Sequence, residues 1–185
     1  DDKLGILDVR VLLNNKEQID IEIQVTSSEY WVERTLFYLG KMFVDQLKPG
    51  EDYQKLEKCI HVGILNFTLF DDEEYYSRFH FWSDQGRKMY SDKYEIHTLE
   101  LPKLAKHEYP ETELLKWLQF INAETKEEFE MAAEKSEYIK KAYEDLNRIS
   151  ADEEKRLEYE ARERAIRDHQ YFSTVYKNTG LKEGR

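Results

Sequence analysis

Apolar and polar residues alternate in two short segments near the start of the chain. Residues 4–13 are rich in Leu, Ile and Val, and in residues 18–25 the Ile and Val positions alternate with Asp20, Glu22 and Gln24. Successive side chains of a strand point to opposite faces, so these three polar residues share one face. A polar, turn-prone stretch, residues 14–17, separates the two segments. The pattern predicts a β-hairpin.

Helical and strand-like patterns alternate through about residue 105. The helical spacing of Trp31, Leu39 and Met42, followed by Pro49-Gly50, predicts a helix after the hairpin. Three more strands are predicted, at residues 59–70 (buried on both faces), 77–82 and 95–101. A charged loop at 71–74 and a turn at 83–86 separate these strands. Strands with helices between them predict an α/β fold with a mixed sheet.

The composition changes after Pro110. Residues 111–176 contain no Pro or Gly and many Glu, Lys, Arg and Ala residues, with apolar positions at helical spacing. We therefore predict two parts, a core over residues 1–105 and a helical extension over residues 106–185. Residues 152–168 are so rich in charge that we expect a solvated helix there. The extension is also where we expect any homo-oligomer contact.

Charge and cysteine content narrow the classes of protein that remain. The chain has 28 Lys and Arg against 39 Asp and Glu residues, a net charge of −11, which argues against a general nucleic-acid coat protein. Its single cysteine, Cys59, excludes an intramolecular disulfide and a multi-cysteine zinc site. No apolar stretch approaches the roughly 20 residues of a membrane helix, and the start is unlike a signal peptide. We expect a cytoplasmic protein without a membrane partner.

Two carboxylates are the main candidates for chemistry. Asp8 lies inside the first apolar segment, and pairing of the two predicted strands would bring it to the face that carries Glu22 and Gln24. Carboxylate oxygens are the ligands that Mg²⁺ prefers. The alternative is that this polar face is simply the solvated side of a half-exposed strand. Asp20, on the same face, is expected to be a surface residue.

The histidines and a group of aromatic residues are expected to have structural roles. The five histidines show no helical pairing and no nearby cysteine cluster, so no metal is assigned to them. An aromatic group around the fourth strand can stack on bases, but packing on a strand face is the stronger expectation. Its members are Tyr75, Tyr76, Phe79, Phe81 and Trp82.

Three short motifs follow one another in a characteristic order. They are Leu7-Asp8-Val9, Ile21-Glu22-Ile23-Gln24 and Arg34-x-x-x-Tyr38. In this order the chain resembles the PD-(D/E)XK nuclease superfamily, and within it the recombination-promoting nuclease or putative transposase family. The resemblance also takes in residues 53–70 and 96–103, so that it covers roughly residues 4–104 and leaves the helical extension outside.

The resemblance implies a restriction-endonuclease-like αβα core that cuts DNA with Mg²⁺, for which Mn²⁺ can substitute. It makes Asp8 and Glu22 metal ligands, and the backbone carbonyl of Ile23 is expected to add a third. Gln24 takes the place of the superfamily's lysine, which removes a cation from the site. We expect Arg34 to supply that charge, with Tyr38 beside it one helical turn later.

Two functions remain open. The first is a metal-dependent DNA endonuclease associated with recombination or mobile elements. The second is a catalytically inactive scaffold whose helical extension binds a partner protein or another copy. Members of the family have a helix before the Asp-bearing strand that usually supplies an acid. We therefore expect either such a residue upstream of Asp1 in the parent protein or a truncated, inactive relative.

Overall fold

A computed structural model of the chain describes residues 9–14 and 16–152, and it divides after Pro110 into two compact units. The described part of the first unit contains five strands and one α-helix. These elements are β1 (Val9–Leu13), β2 (Glu17–Gln24), α1 (Trp31–Val44), β3 (Cys59–Leu65), β4 (Tyr76–Trp82) and β5 (Met89–Glu100). Short 3₁₀ turns occur at Tyr53–Lys55 and Leu101–Lys103.

The five strands form one mixed sheet in the order β1-β2-β3-β5-β4. The three central strands, β2, β3 and β5, run parallel, while β1 and β4 pair antiparallel at the two edges. This arrangement confirms the predicted α/β class and its mixed sheet. The predicted hairpin is also confirmed, because Val9 pairs with Ile21 and Leu13 with Glu17. Residues 4–8 of the first predicted strand lie outside the described residues.

Helix α1 packs across one face of the sheet, close to its centre. Leu39 and Met42 of α1 form a buried cluster with Cys59 of β3, and Phe43, Tyr94 and Ile96 pack against it. Near the start of α1 the approach is closer still, since a Cβ on Gly63 would lie 2.6 Å from Cζ2 of Trp31. A glycine is therefore required at position 63 for the helix to lie against β3 at this point.

Strand β3 is shorter than the apolar pattern predicts. It ends at Leu65, and residues 66–75 form a loop instead of continuing to position 70. The backbone N–H groups of Leu69 and Phe70 donate to the Glu100 carboxylate at 2.6 and 3.3 Å. The buried ammonium of Lys103 donates hydrogen bonds to Oε1 of Glu100 at 3.0 Å and to Oδ1 of Asp72 at 2.7 Å. It therefore links the end of β5 to the loop. These contacts replace sheet pairing along the loop.

Strand β5 is longer than predicted. It begins at Met89 rather than at residue 95, because its first part pairs with β4 across the turn at Ser83 to Lys88. The Ser83 amide donates to the Lys88 carbonyl at 2.9 Å, and the Lys88 amide donates to Oγ of Ser83 at 3.1 Å. The predicted turn is confirmed by these two bonds.

The second unit is helical over its described residues, 111–152. It contains α2 (Glu113–Ile121), α3 (Lys126–Glu134) and α4 (Glu137–Ala151). Thr125 begins α3 with a reciprocal capping box to Glu128, and Phe120, Ala132 and Ile139 form the buried centre. The solvated helix predicted at 152–168 lies outside the described residues except for Asp152. No helix in the described part of the chain is long and apolar enough to cross a membrane.

Candidate active site

The polar face of β2 is its inner face. Asp20 and Glu22 are only 2% and 3% exposed, whereas the side chain of Ile23 on the opposite face is 45% exposed. The expectation that Asp20 is a surface residue is therefore wrong, and so is the alternative that these side chains form a solvated face. Burying a carboxylate is unfavourable unless charged or hydrogen-bonded partners compensate for its lost hydration. Both carboxylates have such partners on α1 or β3.

Glu22 forms an ion pair with Arg34, the first of the two motif residues on helix α1. Nη2 of Arg34 donates a hydrogen bond to Oε1 of Glu22. The Arg34 guanidinium lies 6.0 Å from the centre of the Trp31 ring and 5.9 Å from that of Tyr38. Aromatic rings at this distance attract a cation and restrict where it can move. The structure thus brings together Glu22, Arg34 and Tyr38, three of the residues that the motifs single out.

A second buried carboxylate, Asp20, lies two residues before Glu22 on the same face of β2. Oδ2 of Asp20 is 2.9 Å from Nδ1 of His61 on β3, and Nε2 of His61 is 3.5 Å from Oγ1 of Thr35 on α1. All three side chains are buried. Oδ1 of Asp20 has no hydrogen-bond partner among the described residues. This Asp20-His61-Thr35 chain links β2, β3 and α1 directly beside Glu22.

Sequence reasoning missed His61 and Thr35. Asp20 and His61 are 41 positions apart in the chain, and only the parallel register of β2 with β3 makes them direct neighbours. A histidine inside an otherwise apolar strand was the available signal, because a buried imidazole requires hydrogen-bond partners.

The remaining predicted site residues, Gln24, Ile23 and Asp8, are not part of the contact between Glu22 and Arg34. Nε2 of Gln24 donates to the carbonyl of Thr26 at 2.9 Å, at the carboxyl end of β2. The side chain of Ile23 points to the face opposite Glu22, so only its backbone carbonyl is a candidate ligand. Asp8 immediately precedes the described part of β1 and lies outside the described residues. Its role as a metal ligand remains a prediction.

The donors beside α1 fit a hard divalent cation better than zinc. Glu22 offers a carboxylate, and Oδ1 of Asp20 is a buried oxygen on the same face without a hydrogen-bond partner among the described residues. Oxygen donors of this kind suit Mg²⁺ and Mn²⁺, whereas zinc prefers nitrogen and sulfur. Within residues 9–14 and 16–152, no group of three or more His, Cys, Asp and Glu residues forms a ready metal site. A cation there would need further oxygen ligands from water or from other residues.

A separate charged network occupies the opposite face of the sheet. Glu95 accepts hydrogen bonds from Lys58, from Nε2 of His80 at 3.0 Å and from Nε2 of His97 at 2.6 Å. Burial raises the pKa of Glu95, but these hydrogen bonds outweigh it and the resulting pKa is about 2. Burial lowers the pKa of His97, although its hydrogen bond to Glu95 acts in the other direction. Since Tyr76 also bonds Nδ1 of His97 at 2.9 Å, the network is well satisfied and joins β4 and β5 to Lys58, the residue just before β3.

Comparison with known proteins gives one match, to a family. A family model described as PD-(D/E)XK nuclease family transposase matches residues 1–174. The match runs through most of the helical extension, so the expectation that the resemblance ends near residue 104 is wrong. Neither a curated protein nor a solved structure gives a significant match.

Proposed function

The chain belongs to the PD-(D/E)XK nuclease family of transposases, and on that basis we propose that it is a Mg²⁺-dependent DNA endonuclease acting in recombination or in the movement of mobile elements. Nucleases of this superfamily generally use divalent metals and act on DNA. The observation that carries the proposal is the ion pair between the buried Glu22 and the half-buried Arg34, where the motif residues of a strand and of the following helix meet.

Glu22 is the proposed metal ligand at the centre of the site. Its burial limits competition from water, and the proposal adds Asp8 and the backbone carbonyl of Ile23 as further ligands. When bound, a divalent cation would lower the pKa of a coordinated water and polarise a phosphoryl oxygen. Gln24 follows on the same strand, and its amide is proposed to orient water or phosphate.

Arg34 is proposed to bind the phosphate that is cut. A guanidinium donates two parallel hydrogen bonds to phosphate oxygens, which a lysine ammonium does not. About a third of the Arg34 side chain is exposed, so its head can turn from Glu22 toward a substrate. Tyr38 and Trp31 flank the guanidinium and support it in either position. In this way Arg34 supplies the positive charge that Gln24 lacks.

The Asp20-His61-Thr35 chain is proposed to position the site without touching DNA. It joins β2 to β3 and to α1 at the level of Arg34, which precedes Thr35 in the helix. The strand that carries Glu22 and the helix that carries Arg34 are therefore held to the same imidazole. This coupling fixes the separation of the two groups that act on the phosphate.

The direct test is Mg²⁺-dependent nicking of supercoiled plasmid DNA by the Glu22→Gln variant. The substitution keeps the size of the side chain and removes the charge, and we expect nicking to be abolished with little change in the circular dichroism spectrum. Glu17→Gln is the matched control, because Glu17 lies at the other end of β2 on the opposite face. Undiminished nicking by Glu22→Gln would overturn the assignment.

One observation favours the second candidate function, a catalytically inactive scaffold. Glu22 is already neutralised by Arg34, and the described residues provide no group of three metal ligands. Under this alternative neither Mg²⁺ nor Mn²⁺ raises the melting temperature, since only a ligand that binds the folded state stabilises it. The melting temperature with and without Mg²⁺ or Mn²⁺ therefore distinguishes the two functions.

A further inference from the structure

The geometry points to a second DNA contact on the β4–β5 hairpin, where exposed aromatic side chains stack on unpaired bases and neighbouring cations bind the backbone. This inference rests on the proposed nuclease function and adds a surface for a single-stranded part of the substrate. The hairpin is separate from the Glu22 site. Its cleft has a volume of about 440 Å³ and is lined by Phe81, Trp82, Ser83, Lys88, Met89 and Tyr90.

Apolar side chains are unusually exposed at this cleft. Trp82 and Phe81 are each 51% exposed, Met89 is 46% exposed, and Tyr90 is 90% exposed. Every residue from 81 to 90 is exposed. Single exposed apolar residues are common on proteins, but a contiguous group of this kind marks a binding surface.

The backbone explains why these residues are not covered by the rest of the sheet. Strand β3 begins at Cys59, which pairs with Tyr94, so residues 89–93 of β5 pair with β4 alone. They form a two-stranded ribbon that extends beyond the edge of the sheet. Phe81 contacts Tyr94 with ring centres 5.5 Å apart, which anchors the base of the ribbon. The ribbon is thus fixed at its base and open to solvent at its tip.

The charge of the ribbon favours a nucleic acid over another copy of this acidic chain. Residues 81–93, which form the ribbon, contain three Lys and Arg residues and two Asp residues, a net charge of +1, which leaves −12 for the remainder of the chain. Arg87 and Lys88 are both exposed at the turn, directly beside the aromatic cleft. Aromatic side chains close to basic ones are the combination that single-strand binders use, because each base offers a flat π-face and each nucleotide a phosphate.

Unpaired bases fit this surface better than a duplex does. Bases in a duplex already stack on one another, so Trp82 and Tyr90 would gain nothing from them, and only Arg87 and Lys88 would contact the phosphates. A single strand engages both kinds of side chain. The proposed occupant is therefore a single-stranded segment of the substrate at a distance from the position that is cut.

The distance between the ribbon and the Glu22 site sets the length of DNA that reaches both. Glu22 lies level with Gly63 and Thr98 in the sheet, nine residues along β5 from Met89. At about 3.3 Å per residue the separation along the strand is roughly 30 Å. At about 3.4 Å per nucleotide this corresponds to roughly nine nucleotides.

The test measures binding apart from cleavage. Fluorescence anisotropy of a labelled single strand of about 20 nucleotides, more than twice the span to be covered, is recorded in EDTA so that no cutting occurs. We expect the single strand to bind more tightly than a duplex of equal length, and Trp82→Ala or Tyr90→Ala to weaken its binding about tenfold. Tyr53→Ala is the matched control, since Tyr53 is 82% exposed elsewhere in the same unit.

Two further measurements separate stacking from charge. Trp82→Phe retains an aromatic ring and should restore most of the affinity that Trp82→Ala loses. Lys88→Ala should reduce the slope of log K against log salt by about 0.7, the value for one phosphate contact on a single strand. Lys16→Ala serves as its control, because Lys16 is exposed on the turn between β1 and β2.

The outcomes distinguish this inference from the nuclease proposal. Equal single-strand affinity for the wild type, Trp82→Ala and Tyr90→Ala would overturn the ribbon contact, even if plasmid nicking still depended on Glu22. Single-strand binding that requires Trp82 in a protein that never nicks DNA would support the contact and overturn the nuclease function. Self-association that Trp82→Ala abolishes, without any oligonucleotide binding, would identify the ribbon as a contact between copies and overturn the inference.

Discussion

Arg34 of helix α1 donates a hydrogen bond to Glu22 of strand β2, and this contact joins a half-buried guanidinium to a buried carboxylate. In the proposed function the Glu22 carboxylate has a second cationic partner besides this guanidinium, the divalent metal. Because two cations close to one carboxylate repel each other, metal binding to Glu22 is proposed to favour the turn of Arg34 toward phosphate.

The first prediction concerns the geometry of Arg34. Arg34→Lys keeps the charge but loses the planar pair of donors, and we expect single-turnover nicking to slow about tenfold or more, a barrier increase of roughly 1.4 kcal/mol. Arg10→Lys is the control, since Arg10 is an exposed arginine of β1 whose guanidinium donates a hydrogen bond to Gln18. Equal rates for wild type and Arg34→Lys would assign Arg34 a purely structural role.

The second prediction concerns metal binding. We expect Mg²⁺ or Mn²⁺ at a hundredfold excess over its Kd to stabilise the fold by about 2.7 kcal/mol, seen as a rise in melting temperature. Glu22→Gln and Asp8→Ala should each remove most of that rise. If Asp8→Ala retains the full rise while Glu22→Gln loses it, Asp8 is not a ligand. Glu17→Gln should behave as the wild type does.

The third prediction concerns the close approach of α1 to β3. Gly63→Ala places a methyl group against the Trp31 ring, where a Cβ would lie 2.6 Å from Cζ2, and should destabilise the fold by about 1–3 kcal/mol. Gly40→Ala is the matched control. Nothing lies within 4 Å of a Cβ at Gly40 in the middle of α1, so this change should stabilise by about 0.5–1 kcal/mol. Denaturant unfolding of both variants measures the difference, and similar stabilities would contradict the packing described.

The fourth prediction is a loss of stability in acid that depends on Glu95. Its pKa of about 2 in the fold lies below the ordinary value of 4.5, so its contribution is complete above pH 4.5 and is lost as the pH falls toward 2. This difference of about 2.5 pKa units corresponds to about 3 kcal/mol at neutral pH. The lowered pKa of His97 acts in the same direction below its ordinary value of 6.5. Unfolding in denaturant across this pH range should show the loss.

Glu95→Gln tests the cause of that acid sensitivity. The variant should be less stable than the wild type at neutral pH and should show a flatter stability profile between pH 2 and 4.5. Glu113→Gln is a suitable control, because Glu113 is exposed and belongs to the helical unit. An unchanged acid profile in Glu95→Gln would show that other groups govern it.

The extent to which sequence predicts this protein differs from element to element. The hairpin and α1 follow from local pattern, because β2 and α1 each bury one regular face and a short polar turn joins β1 to β2. The start of β5 could not be predicted in this way, since the ribbon at residues 89–93 is exposed and its sequence shows no apolar alternation. The end of β3 was misjudged because an apolar run continues past Leu65, and the partner that ends the strand, Glu100, lies 35 positions away.

The candidate site shows the same division. Its motif residues Glu22, Arg34 and Tyr38 are within 16 positions of one another and could be recognised from spacing. The burial of Asp20 could not be predicted from spacing. It depends on His61, whose position opposite Asp20 is set by the parallel register of β2 and β3. Long-range register is decided by the packing of the whole sheet rather than by local pattern.

The loop after β3 has one more consequence. The amides of Leu69 and Phe70 donate hydrogen bonds to the Glu100 carboxylate, which is only 1% exposed and also bonds Lys103. Burial lowers the pKa of Lys103, but its hydrogen bonds to Asp72 and Glu100 raise it overall. Salt does not screen charges at that depth as it does on the surface. The amide hydrogens of Leu69 and Phe70 should exchange with deuterium as slowly as those of the central strands, although neither residue belongs to a strand.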